Sequence, residues 1–368
     1  MNPFTFYSPT RLYVGENCIV QNKDVFRSLG KKALLVTGKF SAKNNGSQQD
    51  VIDALTAVGI SYATFDKVEE NPSIETVATG TELGIAEGVD FIIGIGGGSP
   101  IDAGKAMGVL IKNRDYKVDD LFAPGLQLSA LPVLTVPTTA GSSSETTPFA
   151  VMTVHKDETK KIMAPLIFPA ISFLDAKYMM DLPQDITANT AVDALTHLIE
   201  GYLTLKANFM SDRLNEMGFS VFASVIDALK RGRYTFDDRA RLLLTSTIGG
   251  IAITHTGACL PHRLGYALAF FKGIPHGRAN GLLQKAWLDI YEDKTKINTM
   301  LSILGFKDIT ALGEFLNEIL VTSETFDETF VRKITDQFTA DMSKTDVHPF
   351  PLTREDIYNI YAKSLLGR

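Results

Sequence analysis

The apolar stretch Phe91-Ile92-Ile93-Gly94-Ile95 runs straight into Gly96-Gly97-Gly98-Ser99-Pro100-Ile101-Asp102, and few folds accommodate such a junction. A short run of large apolar side chains closed by glycine is the pattern of a strand covered on both faces of a parallel sheet. The glycines expose backbone amides just ahead of a helix expected from near Ile101, where amides and helix dipole together hold a pyrophosphate. The same texture recurs along the first half. It gives the strand Ala33-Leu34-Leu35-Val36-Thr37-Gly38, a helix over 50–58, the strand Ala63-Thr64-Phe65, a turn at Asn71-Pro72 and a helix over 73–87. Two further strands follow, Pro132-Val133-Leu134-Thr135-Val136-Pro137 and Ile171-Ser172-Phe173-Leu174-Asp175. Strand and helix in alternation predict a doubly wound parallel sheet.

From Thr187 onward the apolar spacing turns helical, with Asp185 or Thr187 as the expected N-cap. Asp181, Pro183 and Asp185 interrupt the pattern in between. The chain therefore reads as an α/β, Rossmann-like dinucleotide-binding domain over 1–180 and an all-α domain over 181–368. A net charge of −6 without a basic stripe excludes a nucleic-acid partner held by phosphate contacts. The two cysteines, Cys18 and Cys259, are too few and too far apart for a disulfide framework or a thiolate zinc site, which points to the cytoplasm. No basic N-terminal region leads into an apolar segment, and no apolar run approaches the roughly 20 residues that span a bilayer. Neither export nor membrane insertion is expected.

In the helical half, Asp193 and His197 are spaced to lie one turn apart on one helix face. Their neighbours Ala191, Val192, Ala194, Leu195, Leu198 and Ile199 are apolar. A carboxylate and an imidazole buried there are costly unless paired with each other or bound by something else. His262, after Leu260-Pro261, and His276, between Pro275 and Gly277, sit where proline and glycine fix the backbone. Three imidazoles and one carboxylate satisfy a divalent transition metal, iron(II) or zinc, and the residues do not choose between them. His255 is read as a surface residue, a neighbour of the ligands or a further ligand, and His155 and His348 as exposed loop residues. The glycine run is neither a G-x-G-x-x-G, whose third glycine would fall on Ser99 or Ile101, nor a P-loop, which needs glycine at Ser99 and a hydroxyl at Ala106. Thr138, Thr139, Ser142 and Ser144 follow a strand and offer hydroxyls to a phosphate or a carboxamide.

Together Gly96-Gly97-Gly98-Ser99-x-x-Asp102-x-x-Lys105, Pro137-Thr138-Thr139-Ala140-Gly141, Ala191-Val192-Asp193-Ala194-Leu195-Thr196-His197 and Pro275-His276-Gly277 stand in the order and spacing of a known family. Over about 6–366 the chain resembles the iron-dependent (group III) alcohol dehydrogenases, of the butanol and propanediol dehydrogenase kind. The resemblance implies that Asp193, His197, His262 and His276 ligate one catalytic divalent ion, usually iron(II), with zinc in some relatives. It implies pyrophosphate binding at Gly97, Gly98, Ser99 and Asp102, and a cofactor lined by Asn71, Thr138, Thr139, Phe149, Val151 and Lys160. Relatives that prefer NAD(H) often carry aspartate directly after the first strand. Here that position is Gly38, with Lys39, Ser41 and Lys43 beside it, which leaves room for a 2′-phosphate of charge about −2. NADP(H) is expected over NAD(H), with Gly38 and Ser41 at that end of the cofactor. Where some relatives have a further histidine proposed for proton transfer, this chain has Tyr266, whose hydroxyl either relays a proton or lines the pocket.

The implied activity is that of an oxidoreductase: reversible hydride transfer between a small primary alcohol, or its aldehyde, and nicotinamide, in a homodimer of the kind common among relatives. Phe149, Phe270 and Phe271 suggest an apolar pocket for short aliphatic chains, without identifying the alcohol. A glycerol dehydrogenase-like polyol oxidoreductase is the nearer rival. A dehydroquinate synthase-like lyase would need a basic cluster that 262–276 lacks, and the full ligand set argues against a catalytically silent binding protein.

Overall fold

The computed structural model describes residues 3–321 and 323–367. The chain forms two compact units, one of Ser8–Leu182 with Thr235–Leu243, the other of Pro183–Tyr234 and Leu244–Arg368 with Met1–Tyr7.

The first unit holds strands β1 (Arg11–Val14), β2 (Lys32–Gly38), β3 (Ser61–Val68), β4 (Phe91–Gly96), β5 (Val133–Pro137), β6 (Val151–Val154), β7 (Thr159–Ile162) and β8 (Ile171–Leu174). Its longer helices are α1 (Ser47–Ala57), α2 (Ile74–Glu87) and α3 (Gly98–Lys112). The main sheet has the order β1-β8-β5-β4-β2-β3, every neighbour parallel, and β6 and β7 form a separate antiparallel pair. Successive residues of β2 enter opposite cores. Ala33 and Leu35 pack with Phe91, Ile93, Ile95 and Phe173, whereas Leu34 and Val36 pack with Ile92, Met107 and Val133. Both faces are therefore apolar, which is why these strands read as unbroken runs, and each large side chain so buried contributes about 1.5–3 kcal/mol.

From β2 the chain passes outward to β3, then crosses back to lay β4 on the other flank of β2. The order reverses between β2 and β4, so the carboxyl ends at Gly38 and Gly96 flank the point where open parallel sheets bind ligands. Three strands were not visible in the sequence, β1, β6 and β7. The edge strand β1 has exposed ends, and the sequence of β7, Thr-Lys-Lys-Ile, carries almost no apolar signal.

The second unit is helical: α4 (Gln184–Leu203), α5 (Phe209–Ala223), α6 (Phe236–Thr256, which begins in the first unit's Thr235–Leu243 stretch), α7 (Leu260–Lys272), α8 (His276–Asp289), α9 (Thr295–Leu304), α10 (Ile309–Ile319), α11 (Glu328–Thr339) and α12 (Arg354–Leu365). The N-cap of α4 is Pro183 rather than Asp185 or Thr187. Its fixed φ launches the helix early, leaving Asp185 in the first turn, where the dipole favours it, and Thr187 buried. Among the described residues no single helix is long and apolar enough to cross a membrane.

His348 corrects the expectation of an exposed loop residue. It is 4% exposed, accepts at Nε2 from Trp287 Nε1–H (3.0 Å), and its Nδ1 lies 3.0 Å from the Phe350 carbonyl. Both ring nitrogens are satisfied only in the neutral form, and burial pulls the ring down to about 4. The unfolded chain takes up this proton near pH 6.5, before the native state does, so the stabilisation is complete above that pH and is lost as pH falls toward 4. About 2–3 kcal/mol should disappear across that window. Urea unfolding at stepped pH should show this slope in the native chain and a flatter one in His348→Gln; parallel curves would refute it.

Candidate metal centre and nucleotide loop

From Ala191 to Leu203 every residue of α4 is buried, and Asp193, His197 and Glu200 recur along one face. On α7, His262 follows Pro261 in the first turn, and on α8, His276 is the first residue after its N-cap Pro275. Gly277 explains how α8 comes so near: a Cβ there would stand 1.9 Å from the Asn189 carbonyl oxygen and 2.8 Å from Asp193 Cβ. Only glycine lets the start of α8 reach α4 and bring His276 beside Asp193.

The ligand atoms of Asp193, His262 and His276 all lie within 4.8 Å of one another. Asp193 Oδ1 is 3.4 Å from His262 Nε2 and 3.8 Å from His276 Nε2. Two atoms each about 2.0–2.2 Å from a shared ion at a near-tetrahedral angle stand roughly 3.3–3.6 Å apart, so the spacing fits a cation held between them. His262 Nε2 is buried and makes no hydrogen bond, a further sign of a ligand position. His197 stands outside this group of three; its ring stacks on His262 at 4.4 Å between centroids.

The charges agree with the distances. Burial works to raise the Asp193 carboxyl, yet the rings of His276, His197 and His262 hold it well below the usual carboxylate range. Burial also opposes charge on His262, but the Glu200 and Asp193 carboxylates push that ring up to about 10. This pocket attracts positive charge.

Two neighbours escaped the sequence reading. Glu200 Oε1 lies 2.5 Å from His262 Nδ1, and Asn280 Nδ2 donates to Asp193 Oδ1 at 3.1 Å while lying 3.3 Å from His276 Nε2. Their signal was positional: Glu200 one turn beyond His197 in an apolar run, Asn280 one turn beyond His276. Tyr266, one turn along α7 from His262, stacks on His276 at 5.6 Å. His255 accepts from Tyr7 N–H and stacks on Phe6, so it fastens the N-terminal segment. His155 is exposed.

In the first unit, Gly97 and Gly98 join β4 to α3, and a Cβ on Gly98 would stand 2.7 Å from Ser142 Cβ. Thr138 and Thr139 follow β5, where Thr138 N–H donates to the Gly96 carbonyl. Asn71, in a left-handed conformation, donates its N–H to Ser99 Oγ, and its Oδ1 accepts from Lys160 Nζ at 2.7 Å. Lys161, by contrast, pairs with Asp157. Asp102 turns toward the 144–151 segment, accepting from Ser144 Oγ (2.5 Å) and Val151 N–H (2.8 Å). Fully buried Lys105 donates to Ser144 Oγ and to the carbonyls of Thr147 and Phe149, and lies 3.9 Å from Asp102. Burial pushes its ammonium down to about 8, with Asp102 and Glu145 pulling the other way. Ser41 opens the short helix Ser41–Asn44 after Gly38, and Lys43 pairs with Asp66.

Residues 9–176 match the model of the iron-containing alcohol dehydrogenases, and residues 187–365 that of the Fe-containing alcohol dehydrogenase family, C-terminal. The chain belongs to the iron-containing alcohol dehydrogenase family. Within this oxidoreductase family it is 34% identical over 259 residues to the lactaldehyde reductase of Escherichia coli (strain K12), a match covering 69% of this chain and 66% of that protein. It is 32% identical to the NADPH-dependent butanol dehydrogenase of Clostridium saccharobutylicum, over 86% of this chain and 81% of that protein. An iron-containing alcohol dehydrogenase from Thermotoga maritima superposes with a TM-score of 0.91 at 35% identity, covering 99% of both chains.

Proposed function

We propose that the protein is a metal-dependent alcohol dehydrogenase and aldehyde reductase, moving a hydride between a small primary alcohol, or its aldehyde, and NADP(H). The observation that carries this reading is the convergence of Asp193, His262 and His276, with ligand atoms at ligand-to-ligand spacing. His197, one turn from Asp193 and stacked on His262, completes the set. Iron(II), or zinc, bound by these four side chains would supply Lewis acidity toward an alcohol or carbonyl oxygen. In this reading Tyr266, whose ring stacks on His276, passes a proton through its hydroxyl or lines the pocket.

On the nucleotide side, the amides of Gly97, Gly98 and Ser99 at the start of α3 would hold the pyrophosphate, with the dipole of that helix favouring negative charge. Asp102 and Lys105 brace the segment carrying Phe149 and Val151. Asn71, Thr138, Thr139 and Lys160 line the remainder. The cations between 262 and 278 favour an uncharged substrate over a phosphorylated one: Arg263 donates to the Lys344 carbonyl, and Arg278 to Glu324 and the Val321 carbonyl. Cytoplasmic action as a homodimer completes the proposal.

NADP(H) is favoured because Gly38 closes β2 beside the reversal of strand order and presents no carboxylate to a 2′-phosphate. A Cβ there meets nothing nearer than the Val68 carbonyl at 3.4 Å, so aspartate is tolerated. Gly38→Asp should shift the NADPH to NADH ratio of kcat/KM at least about tenfold toward NADH, by like-charge repulsion. The decisive assay is anaerobic loading with iron(II) or zinc, followed by an aldehyde panel with NADPH and NADH in parallel. No aldehyde-dependent oxidation of either cofactor would overturn the proposal.

A further inference from the structure

We propose that Glu200 is a positioning residue of the metal centre, presenting His262 through Nε2 and bringing the buried carboxylate charge to that of a divalent cation. The inference rests on the reading that Asp193 and His262 hold the ion. Glu200 is fully buried on the α4 face that carries Asp193 and His197. Its Oε1 lies 2.5 Å from His262 Nδ1 and accepts the His262 backbone N–H at 3.1 Å, in the first turn of α7, whose N-cap Cys259 makes no side-chain cap. One carboxylate oxygen thus fixes both the backbone and the ring of the same ligand.

An ionised carboxylate only accepts, so Nδ1 carries the hydrogen and Nε2 presents its lone pair. In the neutral ring that lone pair faces Asp193 Oδ1 at 3.4 Å, acceptor against acceptor, so a positive charge belongs between them, a proton in the metal-free pocket and the ion once it is bound. A neutral glutamine would accept the Nδ1–H equally well. The charge therefore needs its own reason, because Glu200 Oε2 is buried without a hydrogen-bond donor and His262 is the only ion-pair partner of Glu200 among the described residues. Once a divalent ion displaces the ring proton, its two charges balance the carboxylates of Glu200 and Asp193. Carboxylates behind liganding histidines raise ligand basicity in the same way.

The test titrates cobalt(II), followed by its visible absorption, into metal-free native protein and Glu200→Gln, with the Tm of both metal-free proteins measured alongside. The expected result is a 10–100-fold weaker Kd for the variant, roughly the range for such partners, with a variant that still unfolds cooperatively without metal. A loss smaller than about tenfold overturns the inference. A native protein that binds no cobalt(II) overturns the metal reading itself. Nitrogen-15 spectra of the zinc-loaded native protein give a check that needs no variant: His262 should be protonated at Nδ1 and bound through Nε2, and the opposite tautomer overturns the inference.

Discussion

His262→Ala is expected to lower kcat/KM for aldehyde reduction by roughly 10³-fold or more while leaving NADPH binding nearly intact. The variant removes one of the three groups whose ligand atoms lie within 4.8 Å, and leaves Glu200 and Asp193 buried without the ring they share. Both consequences weaken ion retention, and a Lewis acid at a reacting oxygen is worth several kcal/mol of barrier, which sets the size of the loss. The glycine loop belongs to the other compact unit, so fluorescence titration with NADPH should change less than about threefold, as for independent sites. Steady-state rates on iron-loaded protein give the comparison. Unchanged turnover would remove His262 from the ligand set.

Lys105→Met should be the most destabilising of the substitutions considered, at about 3–5 kcal/mol. The ammonium makes three hydrogen bonds inside the first unit, and its loss leaves Asp102 buried without the cation 3.9 Å from it. Methionine nearly matches the volume, so the change isolates charge and hydrogen bonding from cavity formation. A Tm lower by roughly 6–20 °C follows for a unit of this size. Cofactor affinity should fall too, because the carbonyls of Thr147 and Phe149 lose their anchor. In a double-mutant cycle, Asp102→Asn combined with Lys105→Met should cost less than the sum of the two single changes. Strict additivity would show that the pair does not act as a unit.

The legible parts of this chain were those in which one local pattern decides the structure. The strands β2, β4, β5 and β8 were visible because burial on both faces leaves them continuously apolar, and α2 because Ser73 caps it by accepting from Thr76 N–H. His262 and His276 stood out through flanking proline and glycine, and Gly277 proves to be where α8 closes on α4. The illegible parts depend on distant residues. Nothing near His348 announces that Trp287 will cover it, and nothing near Glu200 announces that His262 will turn its ring toward it. Lys105 stood inside a recognised motif, yet its burial among the carbonyls of the 147–149 segment is a tertiary fact.

The three side chains whose ligand atoms converge come from Asp193 on α4 and, far along the chain from it, His262 and His276 on the consecutive helices α7 and α8. No fragment ending before α8 carries the whole nest, and closing so long a loop has an entropic cost that only helix packing repays. On the proposed ligand set, loading waits until α8 has docked, so metal supplied during refolding should raise the final yield of loaded enzyme without accelerating the earliest collapse.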